Sequence, residues 1–289
     1  MSTLPISVAI PTFNRSKELL YTITQIQKCN PRPQEIIVHI DAGDNQAESV
    51  LSQVFPEVII IRSDKNIGPG GGRNKCIQIA KNNLVASFDD DSFPIDSDYF
   101  SELLSTSLQY PMAIIIEAKI YHLNEEIEKR ERKIYEQHNF TGCGCAYHKN
   151  IFLQTDGYVP KSIAYGLEEV DLSLKAYQQQ LPIIHNTQLR VLHNTVLSHH
   201  VSYKINAAAI TNRALLAYLR YPLSLYFKGF LQTANRVWWS IKNNRFKGIL
   251  KGIYDIPISL FKFRHYRKTI PATIIRQFLL NRAKRKLIS

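Results

Sequence analysis

Three adjacent carboxylates, Asp89, Asp90 and Asp91, come directly after the apolar run 84–88. Carboxylates this close repel one another unless a cation or several hydrogen-bond donors neutralise them, so a hard divalent metal ion is a natural occupant. A metal ion held there could also bridge to a diphosphate group. The alternative is that these acids form a solvated turn or begin a helix. Their position at the end of a predicted strand favours the metal site.

A second acidic cluster, Glu168, Glu169 and Asp171, opens a predicted helix over 168–180. A carboxylate that starts a helix and faces a cleft could accept the proton of an alcohol and so activate it as a nucleophile. Acids in the first turn also complement the helix dipole without any catalytic role, and the residues alone leave this alternative open.

The segment 66–72 is rich in glycine and precedes Arg73. We predict a loop there and a helix over 73–82. A flexible backbone, an exposed helix N-terminus and a fixed cation could together cradle an anion. The segment is neither a Walker A loop nor a GxGxxG dinucleotide motif. A tight loop that needs positive φ angles is the alternative.

The elements that would position these residues alternate between strand and helix. The apolar runs that predict buried strands are 6–10, 35–40, 58–62 and 84–88. This order predicts right-handed βαβ units and a mainly parallel sheet with helices on both faces, an α/β fold. Ligands bind at the carboxyl ends of the strands in such sheets. The polar clusters at 12–15, 41–44 and 89–91 all fall at those ends, so we predict a nucleotide site along that edge.

Charge is distributed unevenly along the 289-residue chain, whose formal net charge is +12. Residues 204–289 hold 18 of the 36 Lys and Arg residues but only one of the 24 acids, Asp255. Many aromatic residues lie between these cations, and helical periodicity prevails from Ala207 onward. We therefore predict a basic helical region that lies on an anionic membrane surface. Packing against the rest of the protein is the first alternative, and nucleic-acid binding is the least favoured one.

The composition excludes a disordered, collagen-like or disulfide-stabilised chain, since 45% of the residues are hydrophobic and only four are cysteines. The Cys143-Gly144-Cys145 pair lacks zinc-motif spacing, so we expect reduced thiols and a cytosolic protein. We expect no signal peptide, because a strand-like run begins at Ile6. No apolar stretch reaches the roughly 18 residues of a membrane-spanning helix.

Five motifs follow one another over roughly the first 200 residues. They are 6–15, 35–41, 66–74 with Asn66-Ile67-Gly68 and Arg73-Asn74, 88–92, and 165–172. Their order resembles the family 2 glycosyltransferases with the GT-A fold. The resemblance implies an inverting transferase that uses Mn²⁺ or Mg²⁺ and a nucleotide-diphosphate sugar, a UDP-sugar first and a dTDP-sugar second. The implied acceptor is a hydroxyl of a glycan or a lipid-linked molecule, in bacterial surface polysaccharide synthesis.

The resemblance also implies which residues bind the donor. Thr12 and Asp41 would contact its base and ribose region, with Arg15 and Arg73 nearby. The full predicted nucleotide-sugar-binding set is Pro11, Thr12, Asn14, Arg15, Asp41, Asn66, Gly68, Arg73, Asp89 and Asp90.

The metal ligands implied by the resemblance are Asp89 and Asp91 of the DxD motif, with Asp91 as the direct ligand. A histidine after the next strand often approaches the metal ion or the diphosphate in this family. His193 fits this role best, with His199 in reserve.

Glu169 is the implied general base, with Glu168 as the alternative. Family members usually have Asp at this position, and a Glu reaches one methylene further, so the choice between the two glutamates stays open. We predict a catalytic domain over 1–203, with a donor-binding half (1–100) and an acceptor-binding half (101–203). The basic helical region is 204–289. A nucleotidyltransferase and a catalytically silent nucleotide-sugar-binding protein remain the alternative functions.

Overall fold

A computed structural model describes residues 2–44, 46–195 and 202–289 of the chain. The strands, in chain order, are β1 (Thr3–Thr12), β2 (Arg32–Ile40), β3 (Ile59–Arg62), β4 (Leu84–Phe88), β5 (Ser92–Pro94), β6 (Ile115–His122), β7 (Ile134–Gln137), β8 (Gly144–His148), β9 (Ile183–His193) and β10 (Arg285–Leu287). The α-helices are α1 (Ser16–Gln27), α2 (Ala47–Val54), α3 (Gly68–Ile79), α4 (Tyr99–Gln109), α5 (Lys149–Phe152), α6 (Glu168–Gln178), α7 (Tyr203–Arg220), α8 (Tyr226–Lys242), α9 (Ile249–Lys262) and α10 (Ala272–Asn281).

Within the described residues, all ten strands belong to one sheet. Its order is β10-β7-β9-β6-β8-β4-β1-β2-β3, and β5 pairs with β9 off this path. Seven strands run in one direction, while β5, β7 and β8 run in the other. The prediction of a mainly parallel sheet is therefore confirmed. Since β1, β2 and β4 are parallel neighbours, their carboxyl ends open onto the same edge.

Helices cover both faces of this sheet, as alternation along β1 requires. Ile6, Val8 and Ile10 point to one face, where they join the apolar cluster that α1, α2 and α4 complete. Ala9 points to the other face and packs with Cys76 of α3 and neighbouring residues of α6. The result is the three-layer α/β architecture expected from the sequence.

Helix α3 begins inside the glycine run, so the predicted loop over 66–72 and the predicted start of the helix at Arg73 are wrong. Pro69 is tolerated because the first helical turn needs no donor from it. The glycines are required by close packing. A Cβ on Gly70 would lie 2.7 Å from Glu168 Oε1, and a Cβ on Gly72 would lie 2.6 Å from His39 Nδ1.

The C-terminal region is helical, as predicted, and packs against the rest of the chain. Leu215 and Leu219 of α7 form a buried cluster with Val159 and Leu167, which precede α6. The prediction of helix throughout missed one strand. In β10, Arg285 to Leu287 pair with β7 and so extend the central sheet.

A buried ion pair joins α7 to α6. Arg220 donates to both carboxylate oxygens of Asp171, from Nε at 2.5 Å and from Nη2 at 3.0 Å, and both side chains are almost fully buried. Lys175 Nζ also lies 2.8 Å from Asp171. Burial alone would raise the pKa of Asp171, but the charges of Lys175 and Arg220 lower it below its ordinary value. This cluster anchors the helix whose first turn carries Glu168 and Glu169.

We expect Arg220→Met to lower the free energy of unfolding by about 3–5 kcal/mol, because it leaves a buried carboxylate with an incomplete set of partners. Urea unfolding followed by circular dichroism would measure the change. The matched control is Lys251→Met, which breaks the largely exposed pair with Asp255 and should cost about 0.5 kcal/mol or less. Equal losses in the two variants would contradict the anchoring role.

Candidate active site

A cleft of about 340 Å³ lies at the carboxyl ends of β1, β2 and β4. It is lined by Pro11, Thr12, Phe13, Arg15, His39, Asp41, Asn66, Gly68, Pro69, Asp89, Asp90, Asp91, Ser162, His193, Thr195 and Ile205. Ten of the fourteen described residues that the sequence analysis selected are in this set. Arg73 adjoins the cleft through its contact with Asp89, and Glu168 adjoins it through Arg73. Neither Glu169 nor Asn14 lines the cleft.

Arg15 neutralises two of the three adjacent aspartates. Its Nη1 lies 2.9 Å from Asp90 Oδ1, and its Nη2 lies 2.8 Å from Asp91 Oδ2. Thr12 donates a hydrogen bond of 2.9 Å to the other oxygen of Asp90. Burial nevertheless raises the pKa of Asp90 to about 7, against the opposing charge of Arg15.

Asp91 and His193 both line the cleft and are in contact with each other. Asp91 Oδ1 is buried, lies 3.2 Å from His193 Nε2, and accepts no hydrogen bond of good geometry from the described residues. Burial alone would raise the pKa of Asp91, but His193 and Arg15 lower it to about 2. Burial alone would lower the pKa of His193, and contact with Asp91 together with the charge of Asp89 raises it above its ordinary value.

These side chains fit a divalent cation. Asp89, His193 and Cys143 can each bring one ligand atom within 4.8 Å of the others, and the unsatisfied Asp91 Oδ1 lies beside His193. Carboxylate and imidazole donors suit Mn²⁺, and carboxylates also suit Mg²⁺. The alternative ligand, His199, lies outside the described residues.

Cys143 is a member of this cluster that the sequence analysis missed. Antiparallel pairing of β4 with β8 sets Gly144 opposite Phe88, so Cys143 lies beside Asp89. Ser92 fixes it further by donating a 2.6 Å hydrogen bond to its carbonyl oxygen. A CxxC motif would not have revealed this role of Cys143. The other potential ligands, Asp89 and His193, are far from it in the sequence.

Arg73 connects the two acidic clusters. Its guanidinium is 3% exposed, donates to the Asp89 carboxylate and lies 3.4 Å from Glu168 Oε2. It also donates to Ser87 Oγ at 3.0 Å. Burial alone would lower the pKa of Arg73, but the charges around it, led by Asp89, raise it well above its ordinary value. The acids near position 90 and those near position 168 therefore share one buried cation.

The two glutamates of α6 have different surroundings. Glu168 is buried and accepts a 2.8 Å hydrogen bond from the backbone N–H of Gly70 in addition to its contact with Arg73. Glu169 is only half-buried, and its carboxylate lies beside Gly142. Burial raises the pKa of both carboxyl groups. Of the two residues, Glu169 is the less buried, and Glu168 has the carboxylate with more polar contacts.

Asp41 and Asn14 both take part in contacts that shape the rim of the cleft. Asp41 accepts hydrogen bonds from the backbone N–H groups of Ile67 and Gly68, at 2.9 and 2.8 Å. It therefore holds the start of α3 as well as lining the cleft. The backbone N–H of Asn14, at a φ of 58°, donates to Asp44.

Other cleft residues carry chemistry that the sequence analysis did not select. Phe13 keeps 43% of its surface exposed at the rim, in the same motif as Thr12, so its position was a usable signal. His39 has a buried Nδ1 without a hydrogen-bond partner among the described residues. Ser162, Thr195 and Ile205 come from later segments with no local motif.

The three-layer fold, with its cleft at the carboxyl ends of the strands, is the GT-A fold of glycosyltransferases. Over 95% of this chain and 83% of the other, the structure resembles S. aureus TarS 1–349 in complex with UDP-GlcNAc, with a TM-score of 0.57 and 16% identity. The complex of the same TarS fragment with UDP matches 74% of this chain and 65% of the other, with a TM-score of 0.52 and 14% identity. GalNAc-T7 with UDP, GalNAc and Mn²⁺ matches 90% of this chain and 57% of the other, with a TM-score of 0.63 and 14% identity. At these identities the likeness shows the fold.

The profile of the family described as "Glycosyl transferase family 2" matches residues 7–162, and the chain belongs to this family. A 92-residue stretch is 30% identical to the uncharacterized glycosyltransferase YwdF of Bacillus subtilis (strain 168). That stretch is 31% of this chain and 34% of YwdF, so the match spans about a third of the curated relative.

The buried state of Glu168 predicts a pH dependence of stability. Because the folded state raises its pKa, its contribution is complete below the ordinary glutamate value of about 4.3 and is lost as the pH rises through the raised value. Between pH 5 and 9, we expect the unfolding free energy of the wild type to fall more steeply than that of Glu168→Gln, by up to about 1.4 kcal/mol per pH unit.

Urea unfolding at several pH values would measure this slope. Glu48→Gln, at a largely exposed position on α2, is the control and should keep the wild-type slope. If Glu168→Gln showed the same pH slope as the wild type, the raised pKa of Glu168 would be contradicted.

Proposed function

We propose that this glycosyltransferase is an inverting, metal-dependent hexosyltransferase. It would transfer a sugar from a nucleotide-diphosphate sugar to a hydroxyl of a glycan or lipid-linked acceptor, in bacterial surface polysaccharide synthesis. The observation that carries the proposal is the contact of one buried cation, Arg73, with both Asp89 and Glu168. Through it the acidic cluster that would hold the metal ion and the start of the helix that carries Glu169 lie at one cleft.

Asp91, Asp89 and His193 would hold a Mn²⁺ or Mg²⁺ ion, with Cys143 beside them. Such an ion, when bound, offsets the negative charge that develops on a departing diphosphate. Arg15 supports the same end of the cleft, because it holds Asp90 and Asp91 in place. The eight lining residues of the predicted donor set, together with Arg73, would form the donor site. Asn14, outside the lining, would support its rim.

Glu169 would remove the proton of the acceptor hydroxyl, since it is the less buried residue of the pair. The hydroxyl oxygen then bonds to the anomeric carbon from the face opposite the diphosphate. The bond from that carbon to the diphosphate oxygen breaks, and its electron pair leaves with the nucleoside diphosphate. One such displacement inverts the anomeric configuration. Glu168, bonded to Gly70 and Arg73, would position the helix start.

A UDP-sugar is the first candidate donor, because TarS and GalNAc-T7 are structural relatives described in complex with UDP or UDP-GlcNAc. A dTDP-sugar is the second. The exposed ring of Phe13 at the cleft rim offers an apolar surface for the nucleotide base.

We expect UDP or a UDP-sugar, in the presence of Mn²⁺, to raise the melting temperature of the protein, since a ligand that binds the folded state stabilises it. Glu169→Gln should retain this shift but lose about 10²–10⁴-fold in turnover, because it removes the base and not the donor site. Asp91→Asn should lose the Mn²⁺-dependent part of the shift. Detection of nucleoside diphosphate release would measure turnover.

Glu48→Gln on the surface of α2 is the control and should behave as the wild type. Release of pyrophosphate would instead identify a nucleotidyltransferase. Donor binding without turnover across a panel of acceptors would favour a silent binding protein. Near wild-type turnover of Glu169→Gln would defeat the base assignment.

Residues 204–289 would associate with the cytoplasmic face of the plasma membrane. Along α8, Phe227, Phe230, Leu231 and Trp238 are exposed at helical spacing. On α9, an equivalent exposed set is Leu250, Ile253, Tyr254, Ile258 and Phe261. These apolar faces, in a region of strong positive charge, are typical of helices that lie in a bilayer interface. Among the described residues, no helix has the length and hydrophobicity to cross a bilayer.

Packing within the protein accounts for only some of the aromatic residues in this region. Tyr221, Phe263 and Phe278 are buried, whereas Phe227, Trp238 and Phe246 are largely exposed. We also propose a domain boundary at residue 203, with a donor-binding half (1–100) and an acceptor-binding half (101–203) before it.

We expect the wild type to co-sediment with vesicles that contain anionic phosphatidylglycerol, and less so at high salt. Phe230→Ala combined with Leu250→Ala should bind at least about tenfold more weakly, since two exposed apolar side chains no longer enter the interface. Leu108→Ala combined with Met112→Ala, at exposed positions outside this region, is the matched control. Retention on single-stranded DNA with no vesicle binding would instead favour nucleic-acid binding.

A further inference from the structure

A second cavity, of about 430 Å³, adjoins the donor cleft. Asn66 and Ser162 line both cavities, so the two spaces meet along that pair of residues. Its remaining walls come from the loop before α6 and from one face each of α7 and α9. A molecule bound here would therefore lie next to the donor without occupying the donor cleft.

The charge of this second cavity is strongly positive. Four lysines line it, Lys161, Lys204, Lys251 and Lys262, against a single acid, Asp255. Asp255 is already paired with Lys251, at 2.6 Å. Among the residues that the structure describes, the other three lysines form no ion pair. Three lysines thus line the cavity without a direct ion-pair partner among the described residues.

The ammonium groups of two of these lysines lie near the same aromatic ring. Lys161 Nζ and Lys262 Nζ lie 5.8 and 5.4 Å from the centroid of the same ring, Phe263. Burial lowers the pKa of Lys161, and the neighbouring charge of Lys262 lowers it further. An anion between the two lysines would relieve this repulsion.

The wall that carries Lys161 is fixed to the donor cleft. Gly68, at a φ of +70°, approaches it so closely that a Cβ there would lie 2.0 Å from the Lys161 carbonyl oxygen. From the other side, the buried Asn212 donates 3.0 Å hydrogen bonds to the carbonyl oxygens of Ile163 and Tyr165. We call this second cavity, lined by Lys161, Lys204, Lys251 and Lys262, the lysine cavity. Its wall at Lys161 is held by packing and hydrogen bonds.

We propose that the lysine cavity binds a phosphate group of the acceptor, beside the donor. A phosphate ester carries close to two negative charges and three acceptor oxygens, which matches several unpaired ammonium groups better than a single carboxylate does. The inference rests on the proposed function for the identity of the neighbouring cleft. It narrows the acceptor to a phosphorylated one, whether the phosphate belongs to a lipid carrier or to a soluble glycan.

The fold also offers a place for a lipid chain next to this phosphate. Helix α9 presents Lys251 and Lys262 to the lysine cavity. Its residues Ile253, Ile256 and Leu260 line a different, apolar groove of about 790 Å³ against α8 and α7. A single amphiphile could place its phosphate on one side of α9 and its hydrocarbon on the other.

Lysine footprinting tests the proposal without relying on turnover. The protein is acetylated briefly in the presence of geranyl phosphate, inorganic phosphate, geraniol or glucuronate, with saturating UDP and Mn²⁺ throughout. Two reference samples contain UDP and Mn²⁺ without a test ligand, or neither. Mass spectrometry then gives the extent of modification at each lysine. We expect geranyl phosphate to reduce acetylation of Lys161 and Lys262 by about tenfold. The exposed Lys17 and Lys28, on and just after α1, should be unaffected.

The arms of the experiment separate the possible sources of the phosphate. Protection by geranyl phosphate at lower concentrations than inorganic phosphate supports a lipid-linked acceptor. Equal protection by both supports a soluble phosphorylated acceptor. Protection by UDP alone would assign the cavity to the donor site and overturn the proposal. So would protection by glucuronate or geraniol in the absence of any phosphate effect, and so would no protection at all.

A charge-matched pair of variants gives a second test. Lys161→Gln combined with Lys262→Gln should weaken binding of geranyl phosphate about tenfold, measured by calorimetry, and leave the UDP-induced melting shift unchanged. Lys17→Gln combined with Lys28→Gln removes the same charge and should change neither. If the wild type does not bind UDP, the proposed function fails while the phosphate arms still decide this inference.

Discussion

The contact of Arg73 with Asp89 and Glu168 is the interaction on which the site depends. A guanidinium that is almost wholly buried must have acids beside it, since an unpaired charge would be costly to bury. It receives one acid from the end of β4 and the other from the start of α6. These two contacts link the edge of the sheet that lines the cleft to the helix that carries Glu169. Loss of this cation would leave two carboxylates facing each other.

The same logic of shared, buried charge extends to the C-terminal helices. Three residues beyond Glu168 on the same helix, Asp171 binds Arg220 of α7. Helix α6 is therefore held at one point by α3 and at another by the basic region. The basic region thus helps to position the helix that carries the two candidate glutamates. Its position sets one wall of the lysine cavity as well.

Those parts of the fold and site that follow from local patterns could be predicted from the sequence. Apolar runs of strand length, each followed by polar residues, were enough to locate the sheet edge with Thr12, Asp41 and Asp89. Contacts between distant segments were not accessible in this way. The register of β8 against β4 brings Cys143 to Asp89, and the glycine run proved to be helical because Glu168 and His39 pack against it. Neither fact could be predicted from the residues adjacent in the sequence.

Helix α3 has a consequence for how the molecule assembles. Its first five residues, Gly68 to Gly72, include four glycines and a proline, and each glycine costs about 1 kcal/mol relative to alanine in a helix interior. Such a sequence has almost no tendency to form a helix by itself. The helix becomes stable only when β1 and β2 supply the surface beneath it and Asp41 caps it. Arg73, one residue further on, therefore reaches its partners only after the sheet exists, and we expect Asp89, Arg73 and Glu168 to come together late in folding.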